Sequence, residues 1–328
     1  MGNTHCRFWD GIRILFFAKI NKIVALKCSI SLFPMDEVIK SWTIDEFEKI
    51  ENIYEELENI NKLWPEHHHF ETMEYRCPTS GKCWCDPSEI KFSHIEVSLL
   101  YNCNLHCRFC GAEYDRQGVK DLGQMERLQK IYLKTLESLK GHNLEYIRLT
   151  DQGEPFFPYS ETVNYLKSLT PADTKQVQIT TNGTLLSDEV INIIETSNVD
   201  ILLTISLNAY NKEHYKTKMG VDAFEHVLDK IEKLKSKNQM FKVSFLIDEF
   251  DDAELKSYIP IFNSLLEKHI WFGVFPANQY SDKIVENKTY QQLYNMSITS
   301  INQFTQDVNG NKFILKATER DWIVKNYF

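Results

Sequence analysis

From residue 94 onward the chain repeats one pattern six times: an apolar run of strand length, then a stretch with helical apolar spacing. The strand-like runs are HIEVSLLYNC, YIRLT, VQITT, ILLTISLNA, FKVSFLI and WFGVFP. Between them, 124–141 carries Leu128, Ile131, Leu136 and Leu139 on one face, and AFEHVLDKIEKLKS does the same with Phe224, Val227, Ile231 and Leu234. ETVNYLKSL, SDEVINIIETS, DAELKSYIPIFNSLLEKH and a stretch near 289–308 supply the other helices. Ser187 is placed as an N-cap, with Asp188 and Glu189 in the first turn where carboxylates are favoured. Strands alternating with helices imply parallel strands and right-handed crossovers. Six units fall short of an eight-fold barrel and suit an open doubly wound sheet or a partial barrel. Either architecture puts chemistry at the carboxyl ends of the strands.

Residues 1–90 lack this alternation. A helix is expected near 44–63, opened by the capping pair Thr43 and Glu46, with Phe47, Ile50, Tyr54 and Leu57 turned inward. The division expected is therefore a small cysteine-rich domain, 1–90, leaning on a metal site because its core is thin, and an α/β domain, 91–328. The apolar stretch Ile12–Leu26 is interrupted by Arg13, Lys19 and Lys22, so neither a membrane span nor a secretory signal is expected, and the cytoplasm is the expected compartment. A net charge of -9 argues against nucleic acid as a partner, since phosphate binding calls for a basic surface.

In a reducing compartment clustered cysteines bind metal or do redox chemistry. All eight lie in the first third: Cys6, Cys28, Cys77, Cys83, Cys85, Cys103, Cys107 and Cys110. The last three form CNLHCRFC at the end of the first barrel strand, spaced C-x3-C-x2-C. Structural zinc takes four ligands, commonly in two C-x2-C pairs, and His106 beside Cys107 would have to turn away from the other donors to complete the set. A [4Fe–4S] cluster is normally held by four thiolates; three leave one iron open, and an open position is the mark of a catalytic site.

This run resembles the signature of the radical SAM superfamily, and the other strand ends extend the likeness over about residues 94–280. The resemblance implies a partial (β/α)6 barrel, Cys103, Cys107 and Cys110 as ligands of three irons, and S-adenosylmethionine (SAM) on the fourth. Phe109 takes the aromatic position by the adenine. DQGEP resembles the Gly-Gly-Glu-Pro motif at Gly153, Glu154 and Pro155, with Gln152 in place of the first glycine. TTNG supplies Thr181 and Asn182, and SLNA supplies Ser206 and Asn208 toward ribose or carboxylate. In NKEHYKTKMG, Lys218 takes the basic position, with Lys216 competing, and VFPAN offers backbone around Phe275 to adenine. The implied chemistry is reductive cleavage of SAM to methionine and a 5′-deoxyadenosyl radical that abstracts hydrogen from substrate, fed by an electron donor such as flavodoxin or ferredoxin.

The segment from Cys6 to Cys28 resembles half of a SPASM or twitch module: cysteine, tryptophan, hairpin, cysteine, with Asn21 standing where a turn glycine is customary. This implies a second [4Fe–4S] cluster on Cys6, Cys28, Cys77 and one or both of Cys83 and Cys85; structural zinc is the alternative. His67–His69 read as a solvated loop, and Cys6 occupies the position where a myristoylation motif needs Ser or Thr. The favoured function is radical modification of a ribosomal peptide or protein side chain. A small-molecule or sugar dehydrogenase or epimerase is one alternative, and a non-catalytic zinc- or cluster-stabilised binding protein another.

Overall fold

A computed structural model of the chain describes residues 11–17, 20–27, 38–62, 92–99, 103–110, 122–149, 153–157, 159–237, 239–249, 251–276 and 287–308. The chain divides into two compact units, the first comprising Met1–Asn104, Gly111–Ile179 and Thr196–Ile201, the second Leu105–Cys110, Thr180–Glu195 and Leu202–Phe328.

In the first unit the strands β1 (Gly11–Phe17), β2 (Lys22–Lys27), β3 (Val38–Thr43), β4 (His94–Leu99), β5 (Leu144–Leu149) and β6 (Thr174–Thr181) lie in the order β3-β2-β1-β4-β5-β6. Pairing is parallel from β1 through β6 and antiparallel among β1, β2 and β3. Period-two alternation sorts the side chains into register rows. Ile12, Ile95, Ile147 and Val177 form one row and Ile14, Val97, Leu149 and Ile179 the next, all buried. The opposite face carries the row Arg13, Glu96, Arg148 and Gln178, in which Arg13 pairs with Glu96 at 2.7 Å and Arg148 donates to Gln178 at 2.9 Å. Helices α1 (Ile44–Glu48), α2 (Ile53–Lys62), α3 (Leu122–Ser138) and α4 (Tyr159–Ser168) complete this unit.

Strand β1 is hydrogen-bonded to β4 in parallel, so β1, β2 and β3 extend the sheet of the first unit. The reason is legible in β1 itself: Ile12, Ile14, Leu15 and Phe16 are all buried, and a strand apolar on both faces needs an interior position. The hairpin between β1 and β2 forms, with Asn21 at φ 54° in the left-handed region that asparagine tolerates. The Thr43–Glu46 capping box forms too, but the single helix expected over 44–63 is two, because Asn52 caps the second by accepting from the Glu55 N–H at 3.1 Å.

In the second unit β7 (Asp200–Ser206), β8 (Phe241–Ile247) and β9 (Phe272–Pro276) are parallel neighbours. Helices α5 (Asp188–Thr196), α6 (Lys212–Met219), α7 (Phe224–Ser236), α8 (Asp252–Lys256), α9 (Ile259–Glu267) and α10 (Lys288–Val308) follow their strands. Ser187 caps α5 as expected, accepting from the Val190 N–H at 3.2 Å. The helix expected over 252–269 breaks at Ser257–Tyr258, where Pro260 starts a new helix in its first turn. Phe245, Phe262 and Phe272 pack ring against ring at 4.6–6.2 Å and fill this core. The architecture is α/β: β4, β5 and β6 are parallel strands in the first unit and β7, β8 and β9 in the second, each followed by helix, in keeping with the expected partial (β/α)6 barrel.

Candidate active site at the carboxyl ends of the strands

Cys103 ends the first part of the loop after β4; Cys107 and Cys110 belong to the stretch that packs in the second unit. None of the three is in a disulfide, and all are half-buried. Cys110 donates its N–H to the Cys107 carbonyl at 3.1 Å, a tight turn that brackets Arg108 and Phe109. Cys107 Sγ lies 3.7 Å from Met219 Sδ. Beside it the Arg108 N–H donates to the Lys218 carbonyl at 3.1 Å, so the loop is fastened to the last turn of α6. Gly220 then closes α6 at φ 82°, and a Cβ there would stand 3.4 Å from the His106 carbonyl. A positive φ and a neighbouring carbonyl both call for glycine at this cap.

Under this loop lies a charged cluster that the sequence reading did not single out, apart from Lys218. Lys218 is 0% exposed. Its ammonium meets the Leu246 carbonyl at 2.7 Å, Asp248 Oδ1 at 2.7 Å, Glu249 Oε1 at 3.0 Å and Tyr258 Oη at 3.1 Å. An ammonium has three donors, and here the chain's own oxygens take them. Lys218, expected at the basic position of the motif, is thus bonded within this cluster. Arg108 bonds Asp248 through Nε at 3.1 Å and Nη2 at 3.4 Å, and Glu249 through Nη2 at 3.0 Å. The Asp248 hydrogen bond chiefly raises the Arg108 pKa. His214 Nε2 lies 2.9 Å from Glu249 Oε1. Burial pushes the Glu249 carboxyl up, but His214, Lys218 and Asp248 together hold it far below the ordinary carboxylate range. Burial, then Glu249, pushes the Tyr258 phenol up. One signal could have revealed this cluster: two adjacent acids, Asp248 and Glu249, directly follow the strand FKVSFLI, where a loop acid has no core role.

The remaining expected positions fall at strand ends. Gly153, Glu154 and Pro155 line a cleft with Val97, Leu99, Tyr132 and Phe157 in the first unit. Glu154 is buried and its Oε1 accepts from the Phe156 N–H at 3.2 Å. Thr181 and Asn182 shape the turn after β6, accepting from the Gly183 and Thr184 N–H groups at 3.0 and 2.9 Å. Ser206 Oγ meets Ser244 Oγ at 3.3 Å. Asn208 sits at φ 54° and accepts from the Leu246 N–H at 2.8 Å, so it ties β7 to β8. The Phe109 ring stands 5.5 Å from the Lys218 ammonium, a cation–π contact. The Phe275 ring lies over Gly273, where a Cβ would come within 2.8 Å of it. Cys6, Cys28, Cys77, Cys83 and Cys85, together with Gln152 and His67–His69, lie outside the described residues.

Parallel strands followed by helices, with three closely spaced thiols in the loop after β4, define the class: an α/β domain of the enzyme type. The donor set fits a cluster, since thiols are the ligands iron–sulfur groups take and none of the three is bound in a disulfide. Among the described residues no group of three or more His, Cys, Asp or Glu forms a metal-holding cluster already.

Residues 97–259 match the model of the radical SAM superfamily, and through them the chain is a member of that superfamily. Membership implies a [4Fe–4S] cluster and SAM. An uncharacterized protein of Methanocaldococcus jannaschii is 27% identical over 165 residues, which is 49% of this chain and 50% of that protein. A GTP 3′,8-cyclase of Clostridium perfringens is 26% identical over 171 residues, 52% of this chain and 51% of that one. The chain thus spans about half the length of the curated relatives it matches. Among solved structures, Streptococcus suis SuiB bound to S-adenosylmethionine is 17% identical with a TM-score of 0.45, covering 64% of this chain and 45% of SuiB. An anSMEcpe structure with bound AdoMet and Cp18Cys peptide is 17% identical with a TM-score of 0.40, covering 56% and 50%. Among the described residues no helix is long and apolar enough to cross a membrane.

Proposed function

We propose that this chain is a radical SAM enzyme that abstracts hydrogen from a substrate, with a peptide or protein side chain as the favoured class. The observation that carries the reading is the C-x3-C-x2-C run after β4, within which Arg108 and Cys107 are bonded to Lys218 and Met219 at the end of α6. Cys103, Cys107 and Cys110 would hold the [4Fe–4S] cluster, which with SAM supplies reductive cleavage of the sulfonium and so a hydrogen-abstracting radical. The chain's own residues do the holding. Cys107 and Cys110 are set by the turn around Arg108 and Phe109, and Phe109 is steadied over the Lys218 ammonium. Gly153, Glu154 and Pro155 offer backbone beside a cleft, and Thr181, Asn182, Ser206, Asn208 and Phe275 stand at the carboxyl ends of β6, β7 and β9. Peptide is favoured because auxiliary-cluster enzymes of this superfamily often modify ribosomal peptides or proteins, by cross-linking or oxidising side chains. A small-molecule dehydrogenase or epimerase is the second class. A second [4Fe–4S] cluster on Cys6, Cys28, Cys77 and Cys83 or Cys85 belongs to the same proposal, as do a flavodoxin or ferredoxin donor and a cytoplasmic setting in which thiols stay reduced.

Anaerobic reconstitution tests it. About four irons per chain indicate one cubane and about eight indicate two. Dithionite with SAM should then release 5′-deoxyadenosine, and replacing Cys103, Cys107 and Cys110 with alanine should abolish release. Zinc alone in the purified chain, or release that survives the triple replacement, refutes the reading.

A further inference from the structure

We propose that Arg108, held by Asp248 and Glu249, is a positioning residue that clamps the cluster-binding loop. The inference rests on the radical SAM reading above. Arg108 lies between two proposed ligands, Cys107 and Cys110, and its side chain is spent on Asp248 and Glu249. Three independent contacts fasten this stretch to the end of α6. The Arg108 N–H donates to the Lys218 carbonyl, Cys107 Sγ rests on Met219 Sδ at 3.7 Å, and Gly220 passes under the His106 carbonyl. The Arg108 side chain then crosses to the residues that follow β8. Its Nε and Nη2 take both oxygens of Asp248, and Nη2 reaches Glu249 at 3.0 Å.

The far end of the clamp is itself rigid. Asp248 and Glu249 are also held by the buried Lys218 ammonium, at 2.7 and 3.0 Å, and Glu249 by His214 at 2.9 Å. Two carboxylates facing two permanent cations make a balanced group, so neither side chain is free to swing toward water. The Arg108 fork is planar and its bonds to a carboxylate are directional, which lysine cannot reproduce. A loop supplying thiolates to a metal group needs such fixing, because ligand orientation is set by the residues outside the ligand set.

The test uses the full-length chain, anaerobically reconstituted with iron and sulfide. R108Q, R108K, D248N and the R108Q/D248N double variant are compared for the rate of cluster loss to EDTA and for the change SAM makes in the electron paramagnetic resonance of the reduced cluster. Removing charge-assisted bonds should speed cluster loss about tenfold in R108Q and D248N. The double variant should lose it no faster than the worse single, and R108K should fall between. The SAM-induced spectral change should shrink or broaden in R108Q while the unfolding midpoint of the apo chain moves little. A merely structural role would instead lower that midpoint and leave the spectral change intact, and that result overturns the clamp. Loss rates and spectra matching the wild type overturn it as well. If the wild-type chain takes up no iron at all, the radical SAM reading fails and the clamp fails with it. Normal 5′-deoxyadenosine release by the wild type, with R108Q indistinguishable from it, refutes the clamp alone.

Discussion

Lys218→Met should be among the most damaging single substitutions in the second unit, although no part of the side chain meets solvent. Methionine keeps the apolar stem and its volume, so the change removes the ammonium and leaves the packing. In the native chain the half-buried Asp248 and the buried Glu249 face the cations Lys218 and Arg108, with His214 on Glu249 and the Tyr258 hydroxyl donating to it at 3.0 Å. Without Lys218 both carboxylates share one guanidinium, and the Arg108 side chain is 42% exposed, so water screens what it offers. Breaking a buried pair from one side costs about 3–5 kcal/mol. At roughly 2–4 °C per kcal/mol for a domain of this size, the midpoint should fall by about 6–20 °C. Guanidinium and thermal unfolding of the apo chain measure it. The pH dependence gives a second readout. Glu249 is depressed in the folded state, so its contribution is present above the ordinary value of 4.5 and is lost as pH falls toward the folded value. Lys218→Met reduces that depression, so the gap between variant and wild type should narrow as pH drops through the carboxylate range. E249Q combined with K218M should cost less than the two singles summed, because each removes the other's partner. A K218M variant within about 1 kcal/mol of wild type at neutral pH would refute the reasoning, because it would put the ammonium at the value of an exposed pair.

Two further substitutions test other joints of the fold. Gly183→Ala places a Cβ 3.0 Å from Val227 Cγ1 and 3.1 Å from Ile205 Cγ2 at a φ of +79°, and should cost about 1–3 kcal/mol by denaturant midpoint; a neutral outcome would mean that this turn readily re-forms. Asp173→Ala removes the acceptor of the Thr170 N–H and hydroxyl and of the Gly141 N–H, at 2.7, 2.8 and 2.7 Å, and should cost about 1–3 kcal/mol at neutral pH. Burial raises the Asp173 carboxyl, the Thr170 and Gly141 bonds outweigh it and lower it, and the penalty of Asp173→Ala should therefore shrink as the medium is acidified below the ordinary 3.8. A penalty that is constant with pH refutes that assignment.

The barrel strands were legible because each is short, apolar and bounded, and FKVSFLI coincides with β8 residue for residue, its side chains alternating between buried and half-buried. The helices were legible by period, down to Ser187 as a cap, apart from α6, the break between α1 and α2, and the break between α8 and α9. There Leu255, Phe262 and Leu265 keep a shared apolar face across a break that Pro260 imposes, and periodicity cannot register a break that leaves the face in phase. The N-terminal hairpin was legible as a hairpin but not as part of the sheet, because partner choice between strands is a long-range matter that Ile12, Ile14 and Phe16 signal only as burial. The thiol run was legible because its chemistry lies in the spacing of one local stretch. The charged cluster was not, since Arg108, Lys218 and Glu249 are separated by 110 and 31 residues and meet only when strand ends are brought to one edge. Lys218 illustrates the limit most sharply. Its place before Met219 and Gly220 matched the basic position of a motif, and the structure adds what the ammonium meets: the Leu246 carbonyl, Asp248, Glu249 and Tyr258. A local motif therefore identifies the basic residue, while its partners, 28 to 40 residues further on, become legible only in the fold.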